Sequence, residues 1–323
     1  MHHLYQGDLD KMKIGLIGLG KMGMNLAENM IDNNIEVVAY DIDQTKADEA
    51  TEKSILFSSS VEHCLEQLDE DKIIWMMIPA GKPTEDMFQR LLPLLSAGDR
   101  LIDGGNSHFE DSKRRAAICR ERQIYFFDVG TSGGMDGARN GACMMIGGDK
   151  DQFARLEPLF DAVNVQDGYL YTGESGSGHY LKMVHNGIEY GMMQAIGEGF
   201  DVLHHSEFDF DLAKVAKVWN NGSVIRSWLM ELAQDFFEED ANLEEIEGVI
   251  GSSGEGKWTV DEALNLNVPV PVIAQSLMVR YASSDTERFG AKVVASLRNG
   301  FGGHEIVNKG GKTVDRQAVH NRS

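Results

Sequence analysis

The stretch that decides the fold is KIGLIGLGKMG, residues 13–23. Its first half is an apolar run that predicts a short buried strand at Lys13–Gly18. Its second half spaces glycines as G-x-G-x-x-G, and a helical pattern follows at about Met22–Asn33. A strand that turns into a helix through closely spaced glycines is typical of the opening unit of a doubly wound α/β sheet.

Strand and helix patterns continue to alternate after this turn. The predicted strands are Ile35–Tyr40, Lys72–Ile78, Arg100–Asp103, Gln123–Val129 and Cys143–Ile146. The predicted helices are near Thr45–Glu52, Glu85–Leu95, Phe109–Arg122 and Asp151–Phe160. This alternation predicts βαβ units and a parallel sheet.

The composition changes at Tyr171–Gly178, which is rich in glycine and serine. Strand signals nearly vanish after it, and the predicted helices are His179–His205, Asp211–Asn220, Ser223–Glu239 and Pro271–Ser283. We therefore expect an α/β Rossmann-type doubly wound sheet over residues 12–178, followed by an all-α domain over residues 179–323. We read Met1–Lys11 as a short polar extension and leave it out of the fold argument.

Bulk properties narrow the function. The chain has 323 residues and a formal net charge of −21, which disfavours nucleic acids and anionic membranes as partners. The three cysteines (Cys64, Cys119 and Cys143) have neither metal-ligand spacing nor the pattern of a disulfide framework. We find no membrane-spanning run or signal peptide, and we expect a cytoplasmic protein that acts on a small molecule.

The glycine turn predicts a dinucleotide site, because its backbone N–H groups can approach a pyrophosphate at the helix N-terminus. Asp41 ends the second strand, where a carboxylate binds ribose hydroxyls and repels a 2′-phosphate. Neither Ile42 nor Asp43 offers a cation to such a phosphate, so NAD is preferred over NADP. The same fold with a glycine turn and no dinucleotide is the alternative. The predicted cofactor residues are Gly18, Leu19, Gly20, Lys21, Met22, Gly23, Asp41, Ile78, Pro79, Ala80 and Asn106.

One later helix carries an unusual polar strip. At ~100° per residue, Lys182, His185, Asn186 and Glu189 fall within an arc of roughly 100° on an otherwise apolar or small-residue helix. A lysine and a glutamate two turns apart in such surroundings suggest proton transfer in a closed pocket. A buried ion pair with two satisfied polar groups fits the pattern equally well.

Six segments together resemble the decarboxylating 6-phosphogluconate dehydrogenase family, in its short, NAD-type form. They are GLGKMGMNL (18–26), IDGGNS (102–107), GTSGGMDGARNG (130–141), GHYLKMVHNGIEYGMMQ (178–194), GEGKWTV (254–260) and RNGFGGH (298–304). The resemblance spans almost the whole chain. It implies oxidative decarboxylation of 6-phospho-D-gluconate to D-ribulose 5-phosphate and CO₂, in the pentose phosphate pathway.

The resemblance also implies residue roles. Lys182 matches the general base and Glu189 the general acid. The loop that holds the substrate carboxylate is matched by Ser132, Gly133 and Gly134, and residues near the substrate hydroxyls are matched by Asn106, His185 and Asn186. The phosphate subsite is matched by Tyr190, Lys257, Thr259 and Arg280. Tail residues that enter a neighbouring subunit are matched by Arg298 and His304. A homodimer or homotetramer follows. Met135–Asp136 departs from the family's usual acidic pair, which we expect to alter loop packing or cofactor contacts.

Plain chemistry agrees with these roles but does not require all of them. A lysine with a solution pKa of about 10.4 needs desolvation before it can act as a base near neutral pH. No sequence cluster suggests a metal. We expect Lys257 to lie in a Gly-rich loop, Gly251–Gly256. Without the resemblance, a solvated loop lysine and a paired helix arginine are the favoured interpretations of Lys257 and Arg280, and the resemblance favours the phosphate subsite instead.

The chain after Leu297 is rich in glycine, and a flexible arm is its plainest reading. That stretch carries Arg298, Lys309, Lys312, Arg316 and Arg322 against Glu305 and Asp315, so its net charge is 5 − 2 = +3. Two rival functions stay open: a β-hydroxyacid dehydrogenase for an unphosphorylated 3-hydroxy acid, and a non-catalytic NAD-binding sensor or scaffold.

Overall fold

The computed structural model describes residues 12–314. Eight strands form one sheet in the order β3-β2-β1-β4-β5-β6-β7-β8. They are β1 (Lys13–Ile17), β2 (Glu36–Tyr40), β3 (Leu56–Phe57), β4 (Ile73–Met76), β5 (Arg100–Asp103), β6 (Tyr125–Ser132), β7 (Ala142–Gly147) and β8 (Asn164–Gly173). The order reverses direction between β1 and β4, which creates the crevice where doubly wound sheets bind their ligands.

Helices connect these strands, and the two faces of the sheet carry separate hydrophobic clusters. The helices are α1 (Lys21–Asp32), α2 (Ala47–Glu52), α3 (Val61–Glu66), α4 (Lys82–Leu91), α5 (Phe109–Glu121), α6 (Gly134–Asn140) and α7 (Lys150–Val163). One cluster centres on Trp75 and Phe160 and the other on Phe88 and Phe126, each pair in an edge-to-face contact. Burial on both faces explains why the central strands are almost continuously apolar.

The predicted parallel sheet is wrong at one pair of strands. β7 runs antiparallel to β6, whereas the other neighbouring strands are parallel. The cause is α6, a helix of seven residues between Gly133 (φ +117°) and Gly141 (φ +119°). A parallel crossover needs about a dozen residues or more, so this short helix can only reverse the chain.

Four short or exposed elements were not predicted from the sequence: β3, α3, α6 and β8. β3, α3 and α6 are too short to show a periodicity. β8 is an edge strand that exposes much of its length, so its apolar signal is weak.

The rest of the chain is mainly helical, as predicted. Its helices are α8 (Ser177–His204), α9 (Leu212–Asn220), α10 (Trp228–Glu239), α11 (Glu255–Asn265), α12 (Pro271–Ser284) and α13 (Phe289–Gly302). A pair of two-residue strands, β9 (Ile306–Val307) and β10 (Thr313–Val314), adds a small antiparallel ribbon. None of the helices within residues 12–314 has the length and hydrophobicity that crossing a bilayer requires.

Three local predictions need correction here. α10 begins at Trp228, because the Ser227 hydroxyl caps it by accepting a hydrogen bond from the Met230 N–H. Lys257 lies in the first turn of α11, because the chain leaves the glycine-rich loop at Gly254 (φ +113°). Arg298 lies within α13, so the expected flexible arm is helical at its start. Asp315, Arg316 and Arg322 lie outside the described residues.

The chain divides into two compact units. Among the described residues, one unit contains those up to Met193 together with Ser253–Ile273, and the other contains Gln194–Ser252 and those from Ala274 on. The first unit holds the whole sheet, α11 and the start of α8. The second has its own small core, in which the Phe200 ring lies 4.9 Å from that of Phe237. The domain boundary near residue 178 stays a prediction.

A buried ion pair shapes the loop that follows β5. Arg115 on α5 is 1% exposed, and its Nη1 lies 3.0 Å from Oδ2 of the fully buried Asp103. The same carboxylate accepts hydrogen bonds from the Ser107 hydroxyl (2.8 Å) and the Gly105 N–H (3.1 Å). This network fixes the loop that carries Asn106, whose φ of +53° is unusual for a residue with a side chain.

Replacement of Arg115 by leucine should therefore destabilise the protein strongly. The variant leaves the Asp103 charge buried without its partner, which costs about 3–5 kcal/mol of unfolding free energy. Lys113→Met on the same helix removes an exposed pair with Glu110 and should have little effect. Urea unfolding measures both, and equal stability of Arg115→Leu and the wild type would contradict the interpretation.

Candidate active site

The glycine turn joins β1 to α1, and its backbone geometry fits a dinucleotide. Gly18 has φ +101°, and a Cβ there would lie 2.5 Å from the carbonyl oxygen of Met77. A Cβ on Gly23 would overlap the carbonyl oxygen of Gly18, so α1 packs directly on the end of β1. A Cβ on Gly20 would meet no heavy atom within 4 Å. The space in front of the helix N-terminus is therefore open to a pyrophosphate. Lys21 and Met22 form the first turn of the helix behind this opening.

Asp41 lies directly after β2, buried against this turn. Its Oδ2 accepts a hydrogen bond from the Leu19 N–H at 2.6 Å, and its Oδ1 accepts one from the Asp43 N–H at 2.8 Å. A carboxylate has about four acceptor positions, so Asp41 retains capacity for ribose hydroxyls. Its position is the one predicted for a residue that opposes a 2′-phosphate.

Lys46 is a neighbour of this corner that the sequence analysis missed. It ends a 3₁₀ turn, Gln44–Lys46, and its Nζ donates a hydrogen bond to the Leu19 carbonyl oxygen at 2.5 Å. Asp41 and Lys46 thus hold the N–H and the C=O of the same residue. Because the contact depends on the fold of the turn, sequence spacing carries no signal for it.

The remaining predicted cofactor residues follow the next strands of the sheet. Ile78, Pro79 and Ala80 come after β4, which is paired with β1, and Asn106 comes after β5. The Oδ1 atom of Asn106 accepts a hydrogen bond from the Thr131 N–H at 3.1 Å, which connects its loop to β6. These segments all lie at the carboxyl edge of the sheet, at the switch point.

Strand β6 supports the first turns of α8 through alternate residues. Asp128 accepts hydrogen bonds from the N–H groups of Gly176 (2.6 Å) and His179 (2.8 Å), at the start of α8. A Cβ on Gly130 would overlap the Cβ of Lys182. Because residues two apart in a strand face the same side, this face of β6 meets successive turns of the helix.

The predicted polar strip forms one connected group on α8. The Nζ of Lys182 lies 3.5 Å from Nδ1 of His185, and that nitrogen lies 3.0 Å from Oδ1 of Asn186 and 3.8 Å from Oε2 of Glu189. The other ring nitrogen of His185, Nε2, lies 3.1 Å from the hydroxyl of Ser132, the last residue of β6. Gly133 and Gly134 follow at the start of α6, so the strip faces the predicted carboxylate loop.

Lys182 is the buried member of this group. It is 5% exposed, and burial lowers its pKa from the usual value near 10.5. The carboxylates of Glu189 and Glu255 and the thiol of Cys143 raise it again, but burial dominates. A neutral amine in reach of a substrate hydroxyl can accept its proton.

The predicted phosphate residues belong to two different compact units of the chain. Tyr190 and Thr259 are buried in the first unit, where the Thr259 hydroxyl bonds the carbonyl oxygen of Met183 at 2.7 Å. Lys257 is exposed, and its Nζ contacts Oδ2 of Asp261 at 2.5 Å. Arg280 belongs to the second unit and donates a hydrogen bond to the carbonyl oxygen of Gly251 at 2.7 Å. Their joint role is therefore left as a prediction.

The two tail residues also belong to the second unit. Arg298 and His304 are exposed, and the carbonyl oxygen of His304 accepts a hydrogen bond from Asn299 at 2.8 Å. Among residues 12–314, no three His, Cys, Asp or Glu side chains are grouped so that they can hold a metal ion.

The position of Asp41 predicts a measurable cofactor preference. NADH should bind the wild type at least about tenfold more tightly than NADPH, a difference of ~1.4 kcal/mol. Asp41→Asn should bring the Kd for NADPH closer to the Kd for NADH, because it removes the charge that opposes the 2′-phosphate. Asp48→Asn, an exposed change on α2, is the control. Fluorescence titration measures the Kd values, and wild-type protein that binds NADPH as tightly as NADH would refute the assignment.

Comparison with known proteins places the chain in a family. Residues 13–171 match the NAD binding domain of 6-phosphogluconate dehydrogenase, and residues 178–316 match its C-terminal domain. The NAD(+)-dependent, decarboxylating 6-phosphogluconate dehydrogenase of Haloferax volcanii is 45% identical over 300 residues, which cover 92% of this chain and 99% of that protein.

Solved structures agree. One is a Plasmodium falciparum 6-phosphogluconate dehydrogenase, described with NADP+ and with 6-phosphogluconate. It superposes with a TM-score of 0.78 at 29% sequence identity, and the match covers 93% of this chain and 67% of the Plasmodium chain. A Mycobacterium tuberculosis 3-hydroxyisobutyrate dehydrogenase has a TM-score of 0.67 at 19% identity, over 89% of this chain and 99% of that chain, which shows a shared fold alone. The chain belongs to the 6-phosphogluconate dehydrogenase family.

Proposed function

We propose that this protein oxidatively decarboxylates 6-phospho-D-gluconate to D-ribulose 5-phosphate and CO₂ and reduces NAD. The observation that carries the proposal is the buried Lys182, which sits on one helical strip with His185, Asn186 and Glu189 and faces the Ser132 loop. A solvated helix face would not bury a lysine among apolar neighbours.

Lys182 acts first, as the base. The glycine turn of Gly18, Gly20 and Gly23 would hold NAD, which when bound would supply the acceptor for the hydride of substrate C3. The neutral Nζ of Lys182 takes the proton of the C3 hydroxyl at the same stage, which it can do because burial lowers its pKa. His185 and Asn186 lie beside Nζ and orient the substrate hydroxyls.

The same proton then promotes loss of CO₂. Oxidation at C3 yields a β-keto acid, whose decarboxylation is easier when its carbonyl oxygen accepts a hydrogen bond from a cation. Protonated Lys182 is that donor, while Ser132, Gly133 and Gly134 hold the departing carboxylate. As CO₂ leaves, Lys182 gives its proton to the former carbonyl oxygen, and an enediol forms. Glu189, one turn beyond His185, then donates a proton to the enediol carbon, while the neutral Lys182 takes the hydroxyl proton and the keto product forms.

The phosphate subsite sets the substrate class. We assign it to Tyr190, Lys257, Thr259 and Arg280. Lys257 supports the assignment best, since it stands in the first turn of α11, where helix N–H groups favour an anion. The β-hydroxyacid dehydrogenase alternative needs no such subsite, and its structural representatives are distant.

Absorbance at 340 nm tests this function. NADH and CO₂ should form with 6-phosphogluconate, and Lys182→Met should remove turnover by several orders of magnitude while the far-ultraviolet circular dichroism stays unchanged. Met is a near-isostere that cannot accept a proton. Turnover of an unphosphorylated 3-hydroxy acid instead of 6-phosphogluconate would overturn the proposal, as would a folded Lys182→Met enzyme with substantial kcat.

We further propose a homodimer or homotetramer in which Arg298 and His304 complete a neighbouring site. Apolar side chains of α13, which carries Arg298, are more than half exposed in the single chain: Phe289, Val294, Leu297 and Phe301. Their spacing of five, three and four residues puts them on one side of the helix, and an uncovered apolar face supports association.

Mixed oligomers test this arrangement. Neither Lys182→Met nor the double variant Arg298→Ala/His304→Ala should be active alone. Co-refolded dimers should regain up to about a quarter of the wild-type activity, because a mixed dimer pairs an intact Lys182 with its partner's intact tail. If each tail serves its own subunit, the mixture regains no activity, and this part of the proposal fails.

We also propose a cytoplasmic location. Cys64 and Cys119 are free, buried thiols, and burial raises the pKa of each to about 12. Free thiols without disulfides are typical of reducing compartments.

A further inference from the structure

Glu255 is a buried carboxylate without a role in the chemistry so far. It is the first residue of α11 and is 7% exposed. Its Oε2 accepts a hydrogen bond from the Ser253 hydroxyl at 2.5 Å. Burial of a carboxylate is costly, and a neutral hydroxyl offsets only part of that cost.

The first turns of α11 are tightly packed on the catalytic strip of α8. The Thr259 hydroxyl bonds the carbonyl oxygen of Met183, the residue after Lys182. A Cβ on Gly187 would lie 2.7 Å from Cγ2 of Thr259, and a Cβ on Gly256 would overlap the Tyr190 ring. These contacts fix Glu255 relative to α8.

The negative charge of Glu255 acts on Lys182 and raises its pKa, against the larger effect of burial. Charged or titratable groups act on Lys182 from three elements: His185 and Glu189 on its own helix, Glu255 on α11 and Cys143 on β7. β6 contributes Gly130 and Ser132, which carry no charge, and the carboxylate of Asp128 is directed at the start of α8. The Glu189 side chain is 37% exposed, so water screens it more than it screens Glu255.

We propose that Glu255 is a positioning residue for proton transfer, whose buried carboxylate stabilises the ammonium form of Lys182 through its charge after Lys182 has taken the substrate proton. The inference rests on the proposed function. The proton is not passed to Glu255, whose carboxylate acts through its charge alone. A fixed negative charge stabilises the cation where it forms and needs no solvent reorganisation.

The test is the pH dependence of Glu255→Gln. This change keeps an acceptor for Ser253 but removes the charge, so the ammonium form of Lys182 becomes less stable and its pKa falls. The neutral base then exists at lower pH, and the acid limb of kcat/KM should move down by roughly half to one pH unit. Glu255→Asp keeps the negative charge but shortens the side chain by one methylene. It should therefore move the acid limb of kcat/KM to lower pH by a smaller amount than Glu255→Gln does.

The control is Glu262→Gln on the same helix, where the carboxylate accepts a hydrogen bond from the Tyr180 hydroxyl. It should leave the acid limb unchanged. If Glu255→Gln does not fold, Glu255→Asp against the wild type still decides the question. An acid limb that coincides with that of the wild type in the folded Glu255 variant or variants would overturn the proposal and leave Glu255 a structural residue.

A second measurement needs no turnover. The pH dependence of acylation of Lys182, followed by peptide mass spectrometry, should show the same order of midpoints: Gln lowest, then Asp, then wild type. Failure of the proposed function would appear differently, as wild-type enzyme without activity on 6-phosphogluconate. Acylation midpoints that do not differ among the three proteins would contradict the role of Glu255 whatever the substrate is.

Discussion

The backbone of β6 lies directly beneath the first turns of α8, and the chemistry depends on this close contact. The absence of a side chain at Gly130 lets the Cβ of Lys182 approach the strand. Asp128, two residues earlier on the same face, binds the N–H groups at the start of the helix, and Ser132, two residues later, contacts His185. The strand thus anchors the helix at Asp128, leaves room for the lysine at Gly130 and leads at Ser132 into the proposed substrate loop.

This contact explains why a lysine can serve as a base here. Removal of water from an ammonium group favours its neutral form, and each pKa unit corresponds to about 1.4 kcal/mol. Burial has the larger effect on Lys182, and the two carboxylates oppose it. The balance suits a group that must accept a proton, hold it and give it back. A fully uncompensated lysine would be a weak base, and a fully paired one would remain charged.

The sheet and the polar strip could both be predicted from local sequence, because each follows from a short-range period or motif. G-x-G-x-x-G located the turn, and 3.6-residue spacing placed Lys182, His185, Asn186 and Glu189 together. The missed features depend on contacts between distant parts of the chain. Arg115 pairs with Asp103, Lys46 contacts Leu19, and Glu255 is buried only because α11 packs on α8. The reversed strand β7 was missed because the deciding helix has seven residues.

The measurement that most directly tests the account is an NMR titration of Lys182 in protein labelled with ¹³C at the lysine Cε, with the signal assigned by its absence in Lys182→Arg. We expect a pKa for Lys182 clearly below the ordinary value near 10.5. Titration of Lys182 together with the exposed lysines would contradict it, because the close contact of β6 and α8 would then not create a base.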